Sequence, residues 1–324
     1  MPGDDQDSFL ALSEAALGDL GLSTLEIVDA IEAAIRTEAA GGVWTAPKSA
    51  LLPGDGRYLM TTLSAADRPR LSVVKDVMVS PRNPDRGLPG IDGTIVVHDS
   101  ETGQLRAVIG ARWITAVRTA GLSAVVARRL ANPASRAIAF VGCGVQARSH
   151  LEAFAALFPL AEVRAYGRGT QNVERLCALA RDMGMEAKAA ASPREALEGA
   201  DLVVSSVTLS FEIEPFLDAR WLKPGAFAAI TDMALPWMPE GLSAFDSIII
   251  DDERQEASSP KRMVGAELVT GEITALVSDA LDCRFDPAKR AAFTFRGLAI
   301  GDFAIACLAY EKARDTGQGL KVAW

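Results

Sequence analysis

Residues 137–147 read Ala137-Ile138-Ala139-Phe140-Val141-Gly142-Cys143-Gly144-Val145-Gln146-Ala147. Arg136–Val141 predicts a short buried strand, and the pattern from Val145 onward predicts a helix. The turn between them has the spacing G-x-G-x-x-A. Its first glycine makes the tight turn, its second lets a pyrophosphate approach the backbone, and its alanine lets the helix pack on the strand. The stretch predicts a dinucleotide site in which Gly142, Gly144, Val145, Gln146 and Ala147 contact the cofactor. A glycine turn that serves packing only is the alternative.

The chain after this loop alternates between strand and helix patterns. Helices are predicted at Val145–Phe158, Val173–Met183 and Ser192–Leu197, and strands at Glu162–Tyr166, Leu202–Val207, Ala226–Thr231 and Ser247–Asp251. Such alternation is typical of a parallel sheet with helical crossovers. A further helix is predicted at Phe303–Ala313. The pattern therefore predicts a Rossmann unit over residues 116–302.

The chain before the loop has a different organisation. Residues 8–40 predict a helix that Gly41-Gly42 ends, and Ile114–Ala131 predict another. Strands are predicted at Tyr58–Leu63, Leu71–Val79, Thr94–His98 and Leu105–Ile109, with a loop rich in Pro and Gly at 81–93. We therefore expect an α/β protein: a Rossmann dinucleotide-binding domain plus a second, α+β domain. The second domain comprises residues 1–115 and is completed by 303–324.

The end of the second Rossmann strand indicates which dinucleotide binds. An NAD site usually carries Asp or Glu there, to bind the ribose 2′-hydroxyl. Here the strand is followed by Gly167-Arg168-Gly169-Thr170, and Glu162 lies at its opposite end. Arg168 is placed to pair with a 2′-phosphate and Thr170 to add a hydroxyl, which favours NADP(H). If Arg168 is only a solvated surface residue, NAD(H) is possible. Ser206 and Thr208, after the fourth strand, are predicted to line the nicotinamide ribose.

Composition excludes several classes of function. The 324-residue chain has a net charge of −9, which argues against nucleic acid as a partner. It contains no long apolar run, and residues 1–7 have no basic segment, so we expect no membrane span, no secretory signal and a cytoplasmic protein. The four cysteines lie far apart, without C-x-x-C spacing, so we expect reduced thiols and no metal site. The two histidines, His98 and His150, are interpreted as structural, with His150 facing out from its helix.

A second motif precedes the glycine loop and carries a resemblance. The string Trp113-Ile114-Thr115-Ala116-Val117-Arg118-Thr119-Ala120, followed by G-x-G-x-Q-A, resembles the ornithine cyclodeaminase/mu-crystallin family. The resemblance covers nearly the whole chain. It implies an oxidoreductase or cyclodeaminase acting on the carbon–nitrogen bond of an amino or imino acid. It also implies a homodimer formed through the N-terminal sheet, which makes the first domain the substrate-binding and dimerisation domain.

The resemblance implies roles for particular residues. The family's substrate-carboxylate cations correspond to Lys75, Arg118 and Lys48, its carboxylate near the substrate nitrogen to Asp232, and a cofactor-phosphate contact to Thr119. Lys75 lies in an apolar strand, so it needs an anionic partner. A substrate carboxylate would supply one, and Asp76 or Asp92 are alternatives. Arg118 could instead be a helix-surface residue, and Asp232 a helix-capping or turn residue.

One departure from the family bears on the reaction. Cyclodeaminases commonly carry G-D-x-x-G-K where this chain has Thr231-Asp232-Met233-Ala234-Leu235-Pro236-Trp237. This departure and the missing NAD-selecting acid favour an NAD(P)H-dependent reductase of a 2-imino acid, such as pyrroline-2-carboxylate or piperideine-2-carboxylate. Lys75 and Asp232 are then the catalytic candidates. An amino-acid cyclodeaminase, an amino-acid dehydrogenase of the family and a non-catalytic NADP(H)-dependent binding protein remain alternatives.

Overall fold

The computed structural model describes residues 8–209 and 211–324, apart from the side chain of Pro84. Its strands β1–β16 are, in order, Ser8–Leu12, Val43–Thr45, Ser49–Leu51, Tyr58–Asp67, Arg70–Val79, Ile91–Asp99, Leu105–Gly110, Ala137–Val141, Glu162–Tyr166, Glu186–Ala189, Leu202–Ser205, Phe227–Ile230, Ser247–Ile250, Val269–Glu272, Ala291–Thr294 and Leu320–Ala323. Its helices α1–α9 are Glu14–Asp19, Thr24–Ala39, Ala111–Leu130, Val145–Ala155, Thr170–Asp182, Pro193–Leu197, Glu253–Ser258, Ile273–Val277 and Ala299–Thr316. The chain forms two compact units. The first contains the described residues up to Arg118 together with Leu298–Trp324, and the second contains Thr119–Gly297.

The second unit is built on a parallel sheet in the order β10-β9-β8-β11-β12-β15-β13-β14. β11 pairs in parallel with both β8 and β12, so Val141, Ser205 and Ile230 are in register at the carboxyl ends of three adjacent strands. These strands are almost wholly buried and apolar, as expected for a sheet covered on both faces. The residues that follow them, from Gly142, Ser206 and Thr231 onward, therefore lie along one sheet edge. Ligands bind at this edge in open α/β sheets.

The first unit contains a mixed sheet in the order β16-β1-β7-β6-β5-β4-β2, with β3 also paired to β4. Residues alternate in burial along β5: Leu71, Val73, Lys75 and Val77 are buried, whereas Asp76 and Met78 are exposed. The helix α9 packs against β4 and β5. One lysine therefore lies on an otherwise apolar face, beneath a helix.

The predicted fold class is confirmed: the protein is α/β, with a Rossmann dinucleotide-binding unit and a second unit of sheet and helix. The helix predicted over residues 8–40 was wrong in its first part. Ser8–Leu12 forms β1, which pairs with β7 and with β16, near the other end of the chain. Pairing over such a separation leaves no local signal in five residues. The rest divides at Gly21 into α1 and α2, whose first residues are capped by Ser13 and Ser23.

The described residues contain neither a helix suited to a membrane nor a cluster of metal-ligating side chains. None of their helices has both the length and the apolar character needed to cross a membrane. Within residues 8–209 and 211–324, no three His, Cys, Asp or Glu side chains gather in a way that could hold a metal ion. The expectation of no secretory signal was read partly from residues 1–7, which lie outside the described residues.

Candidate active site

The glycine loop begins where β8 ends. Gly142 has a φ of +87°, a conformation that L side chains rarely adopt. A Cβ added there would lie 2.5 Å from the carbonyl oxygen of Ser206. The Ser206 hydroxyl donates to the Gly142 carbonyl oxygen at 3.0 Å, which fixes the loop against the end of β11. Glycine is therefore required at 142 by the fold itself.

Gly144 is different, because its Cβ would meet no atom within 4 Å and its φ is −81°. It is the N-cap of α4, yet no side chain caps the helix. An uncapped helix N-terminus presents backbone N–H groups that suit an anion. The neighbouring Val145 is exposed, Ala147 is buried against the sheet, and the buried Gln146 Oε1 has no hydrogen-bond partner among the described residues. Open space and unused donors at this turn fit the pyrophosphate of a dinucleotide.

The loop after β9 holds the residues predicted to select the cofactor. Arg168 and Thr170 are both exposed, and Thr170 is the first residue of α5. Gly169, the N-cap of α5, makes no side-chain cap. Glu162, at the start of β9, accepts a hydrogen bond from Arg164 Nε at 2.8 Å. No carboxylate therefore lies at the end of β9, among residues 166–170.

Asp232 lies just after β12 and is 1% exposed. The Ser205 hydroxyl donates to its Oδ1 at 3.0 Å, and the Val207 N–H donates to its Oδ2 at 3.1 Å. Burial raises the pKa of Asp232 to about 7, although the hydrogen bonds from Val207 and Ser205 act in the opposite direction. The side chain caps none of the described helices, whereas the turn alternative is compatible with the structure, since the Leu235 N–H donates to the Asp232 carbonyl oxygen at 3.2 Å. A buried carboxyl that titrates near neutrality can accept or give a proton at physiological pH.

Ser206, Thr208 and Thr119 also belong to the second unit. Ser206 and the exposed Thr208 follow β11 at the edge that carries Gly142 and Asp232. Thr119 is buried in α3, and its carbonyl oxygen accepts a hydrogen bond from the Ser123 hydroxyl at 3.3 Å.

Lys75 is 1% exposed, and its Nζ donates to Asp302 Oδ1 at 2.7 Å. The same oxygen lies 3.2 Å from Arg118 Nε, and Thr62 donates its hydroxyl to Asp302 Oδ2 at 3.1 Å. The partners suggested from sequence were wrong: Asp76 is exposed, and Asp92 lies 3.7 Å from the side chain of Arg112. Asp302 was missed. Its only sequence signal was an acid within the apolar run of α9.

The cluster formed by Lys75, Arg118 and Asp302 has two positive charges and one negative charge, which leaves a net charge of +1. Arg118 is not at the surface of its helix, since its side chain is 10% exposed. Its Nε is buried without a hydrogen bond to any described residue, because the contact with Asp302 is an ion pair without hydrogen-bond geometry. A buried excess of positive charge is unfavourable unless an anion balances it. The cluster therefore suits a carboxylate ligand.

Burial lowers the pKa of Lys75 to about 8. The charge of Asp302 raises this pKa, whereas the charges of Arg118 and Lys48 lower it further. Lys48 is half-buried between β2 and β3, and its Nζ lies 6.0 Å from the centre of the Tyr58 ring. The positive charge of Lys48 therefore acts on Lys75 together with the charge of Arg118.

The interpretation of His150 as outward-facing was wrong. The residue is fully buried, its Nδ1 donates to the Gln146 carbonyl oxygen at 2.7 Å, and its Nε2 lies 2.9 Å from the Ser123 hydroxyl. Burial lowers its pKa to about 4. A neutral histidine between α3 and α4 is structural, as the sequence suggested, but it lies inside the unit.

Several known proteins are similar to this chain over most of its length. The model of the Ornithine cyclodeaminase/mu-crystallin family matches residues 11–317. The alanine dehydrogenase of Archaeoglobus fulgidus is 28% identical over 313 residues, which are 93% of this chain and 94% of that protein. Ketimine reductase mu-crystallin of Mus musculus is 30% identical over 230 residues, 69% of this chain and 70% of the relative. A solved archaeal alanine dehydrogenase dimer with bound NAD has a TM-score of 0.87 at 26% identity, covering 98% of this chain and 99% of that one.

These relatives confirm two predictions made from the sequence. The activities in their names are those of oxidoreductases, as predicted, and the match extends over both units of the chain. With the glycine loop, the R-T-A helix and the full-length similarity in agreement, the chain belongs to the ornithine cyclodeaminase/mu-crystallin family.

Proposed function

We propose that this protein reduces a 2-imino acid to the corresponding amino acid with a nicotinamide dinucleotide, and that NADPH is preferred to NADH. The observation that carries the proposal is a buried carboxyl with a pKa of about 7, Asp232, at the same sheet edge as the glycine loop. Redox chemistry at a carbon–nitrogen bond needs a hydride and a proton. The glycine loop would hold the dinucleotide that carries the hydride, and Asp232 suits transfer of the proton.

The loop at 142–147 would hold the pyrophosphate, with Gly144 leaving room and the α4 N-terminus supplying N–H donors. Thr119, Ser206 and Thr208 would contact the rest of the cofactor. The reduced dinucleotide supplies a hydride to the substrate when it is bound.

The first unit would anchor the substrate. Its carboxylate would balance the excess charge of Lys75 and Arg118, and Lys48 would strengthen the field. Arg118 presents a planar guanidinium, which suits a carboxylate in two-point contact. Fixing the carboxylate orients C2 of the imine, and orientation of this kind contributes strongly to rate.

Asp232 would manage the proton. Its protonated form gives the proton to the imine nitrogen, and the resulting carboxylate stabilises the iminium cation while C2 accepts the hydride. The product is the amino acid, and Asp232 then regains a proton from solvent. Lys75 retains its positive charge throughout, because its role is electrostatic.

The cofactor preference rests on Arg168. It lies in the loop after β9, where no acid is present to bind a ribose 2′-hydroxyl, so a 2′-phosphate is the better partner. We further propose that the protein is a cytoplasmic homodimer. The NAD-bound archaeal relative, whose structure is described as a dimer, supports this assembly.

Oxidation of NADPH in the presence of candidate substrates tests the function. The screen comprises pyrroline-2-carboxylate, piperideine-2-carboxylate, and 2-oxo acids with ammonia or amines. We expect a cyclic ketimine carboxylate to be reduced, and Lys75→Met to lower kcat/KM about 100-fold, because a charged hydrogen bond to the substrate is lost. The exposed Lys188 of β10 provides the control, and Lys188→Met should retain activity. Failure of every imine to oxidise NADPH would reject the proposal.

The main alternative within the family is an amino-acid cyclodeaminase. A cyclodeaminase releases ammonia without net consumption of the coenzyme, whereas a reductase consumes one NADPH for each product. Met233 to Trp237 replace the family's glycine–lysine segment, which favours the reductase. A non-catalytic binding protein would bind the dinucleotide but show no turnover that Lys75→Ala or Asp232→Ala could abolish.

A further inference from the structure

Asp232 is one end of a buried hydrogen-bond chain that the proposed reaction does not itself require. Trp237 Nε1 donates to Ser205 Oγ at 3.0 Å, and Ser205 Oγ donates to Asp232 Oδ1 at 3.0 Å. All three side chains are at most 1% exposed. We call this set the Trp237–Ser205–Asp232 relay.

The chemistry of the indole gives the relay a direction. An indole N–H can only donate, so Ser205 Oγ must accept from Trp237. The one hydrogen of the Ser205 hydroxyl is then left for Asp232, its other partner among the described residues. A hydroxyl that donates to a carboxyl favours the ionised form, and a buried hydroxyl would otherwise leave its hydrogen unsatisfied. Trp237 therefore determines what Ser205 offers to Asp232.

The backbone between the two ends is strained in a way that serves this contact. Met233 and Ala234 both have a φ of +56°, although neither is glycine. Left-handed residues of this kind persist only where the surroundings fix them. Here the chain turns back, and Trp237 forms an isolated parallel β-bridge with Leu217. The centre of the Trp237 ring lies 5.6 Å from the centre of the Phe245 ring. The turn brings the indole from the segment after β12 to the end of the adjacent strand β11.

Charged groups of the second unit do not account for the state of Asp232. The pKa of Asp232 is determined by burial and by hydrogen bonds from Val207, Ser205 and its own backbone. Arg296 reaches the neighbouring Met233, with Nη1 3.5 Å from its sulfur, but it is paired with Glu256 at 2.8 Å. The relay is thus the side-chain interaction through which a substitution can change the pKa of this carboxyl.

We infer that Trp237 is a positioning residue: through the Ser205 hydroxyl it holds Asp232 in one orientation and one hydrogen-bonding state. The use of Asp232 as the proton carrier rests on the proposed function, whereas the relay itself does not. The test therefore measures Asp232 first without turnover, and then during turnover.

Infrared difference spectra of the coenzyme-free full chain, recorded against pH, report the Asp232 carboxyl directly, with Asp232→Asn as the assignment. We expect Ser205→Ala to raise its pKa by about one unit, because a donor to the carboxylate is lost. Trp237→Phe keeps an aromatic ring and removes only the N–H; it should raise the same pKa by less. The double variant should match Ser205→Ala alone, because Trp237 acts through Ser205.

Phe245→Leu is the matched control, since it alters the packing of the Trp237 ring and leaves the relay intact. It should leave the Asp232 pKa unchanged. During turnover, the pH profile of kcat/KM should shift in Ser205→Ala and Trp237→Phe in the same order as the infrared pKa. An unchanged Asp232 pKa in Trp237→Phe, or additive effects in the double variant, would overturn the inference even if imine reduction is confirmed.

A second measurement on the unmodified relay covers the case in which Trp237→Phe fails to fold. With indole-15N-labelled tryptophan, one of the five indole N–H resonances should titrate with the pKa of Asp232. That titration should vanish in Asp232→Asn. If no indole N–H resonance titrates with the pKa of Asp232, Trp237 is not coupled to this carboxyl and the inference is wrong.

Discussion

Lys75 and Arg118 share one carboxylate, Asp302, at distances of 2.7 and 3.2 Å. Burying ions costs free energy that a single pair often only just recovers, and removing one partner of a buried pair is strongly destabilising. Asp302 therefore both keeps Lys75 charged and leaves one positive charge unbalanced for a ligand. These two effects can be separated experimentally.

We predict that Asp302→Asn lowers the free energy of unfolding by about 3 kcal/mol, because two buried cations lose their counter-ion. The pKa of Lys75 should fall further below its present value of about 8, since the charge of Asp302 raises it. Denaturant unfolding measures the first effect, and the pH at which KM for the imine begins to rise measures the second. Asp76→Asn, on the exposed face of the same strand, is the control. Equal behaviour of the two variants would contradict the role of Asp302.

Arg168 gives a prediction about cofactor choice. Arg168→Ala should lower the ratio of kcat/KM for NADPH to that for NADH by about 10- to 100-fold, the range expected for one charge-assisted contact. Steady-state kinetics with both coenzymes measure this ratio. Arg175→Ala, on the exposed face of α5, should leave it unchanged. An unaltered ratio in Arg168→Ala would remove the basis for preferring NADP(H).

Single residues differed in how well the sequence could predict them. Asp232 was selected from the resemblance to the family, and its position directly after an apolar strand supported the choice, because the ends of parallel strands meet at one edge. Asp302 was not, because its contact with Lys75 joins residues 227 positions apart and no local pattern records such a pair. Whether a charged residue is buried depends on the helix that covers it, here α9 over β5.

At the scale of elements, the turn between β8 and α4 separates two requirements for glycine. Gly142→Ala should lower the free energy of unfolding by about 3 kcal/mol, because alanine meets both a positive φ and the Ser206 carbonyl. Gly144→Ala should fold normally, because its Cβ has open space, yet its dinucleotide Kd should rise by about tenfold or more. Thermal unfolding and coenzyme titration measure the two. Tight dinucleotide binding by Gly144→Ala would contradict the assignment of this turn.

The contact between α3 and α4 has a pH dependence that follows from His150. The folded protein binds a proton there only near pH 4, whereas the unfolded chain binds one near 6.5. His150 therefore destabilises the fold as the pH decreases from 6.5 to 4, by about 3 kcal/mol over the window. Urea unfolding at pH 7 and 4.5 measures this loss of stability. The loss should be absent in His150→Gln and should remain in Ser123→Ala. If the free energy of unfolding changes equally with pH in wild type and in His150→Gln, the residue is not buried as described.

The elements themselves were predictable where patterns were local. Short apolar runs separated by Pro, Gly and Asp predicted β4–β7, and the later apolar runs predicted β8, β9, β11, β12 and β13, with ends shifted by a few residues. β1 and β15 were missed for different reasons. β1 depends on pairing with β7 and β16. β15 lies between β12 and β13 in the sheet, and its sequence does not continue the alternation of strands and helices. Topology of this kind is decided by non-local pairing.

For the whole molecule, the acidic net charge and the local excess of positive charge have separate causes. The net charge of −9 is a sum over the whole chain, whereas the excess positive charge belongs to the buried Lys75, Arg118 and Asp302 cluster. Composition therefore bears only on broad classes of partner. The substrate class depends on a few buried groups, and its finer identity depends on what those groups can anchor.

Transfer of deuterium tests the central proposal most directly. The protein would be incubated with NADPH deuterated at the nicotinamide C4 and with a cyclic ketimine carboxylate, and the amino acid analysed by mass spectrometry and NMR. When the deuterium lies on the C4 face from which the hydride is transferred, we predict one deuterium at C2 of the product for each NADPH consumed. Ammonia released without loss of NADPH, or an amino acid without the label, would contradict reduction of a 2-imino acid by this protein.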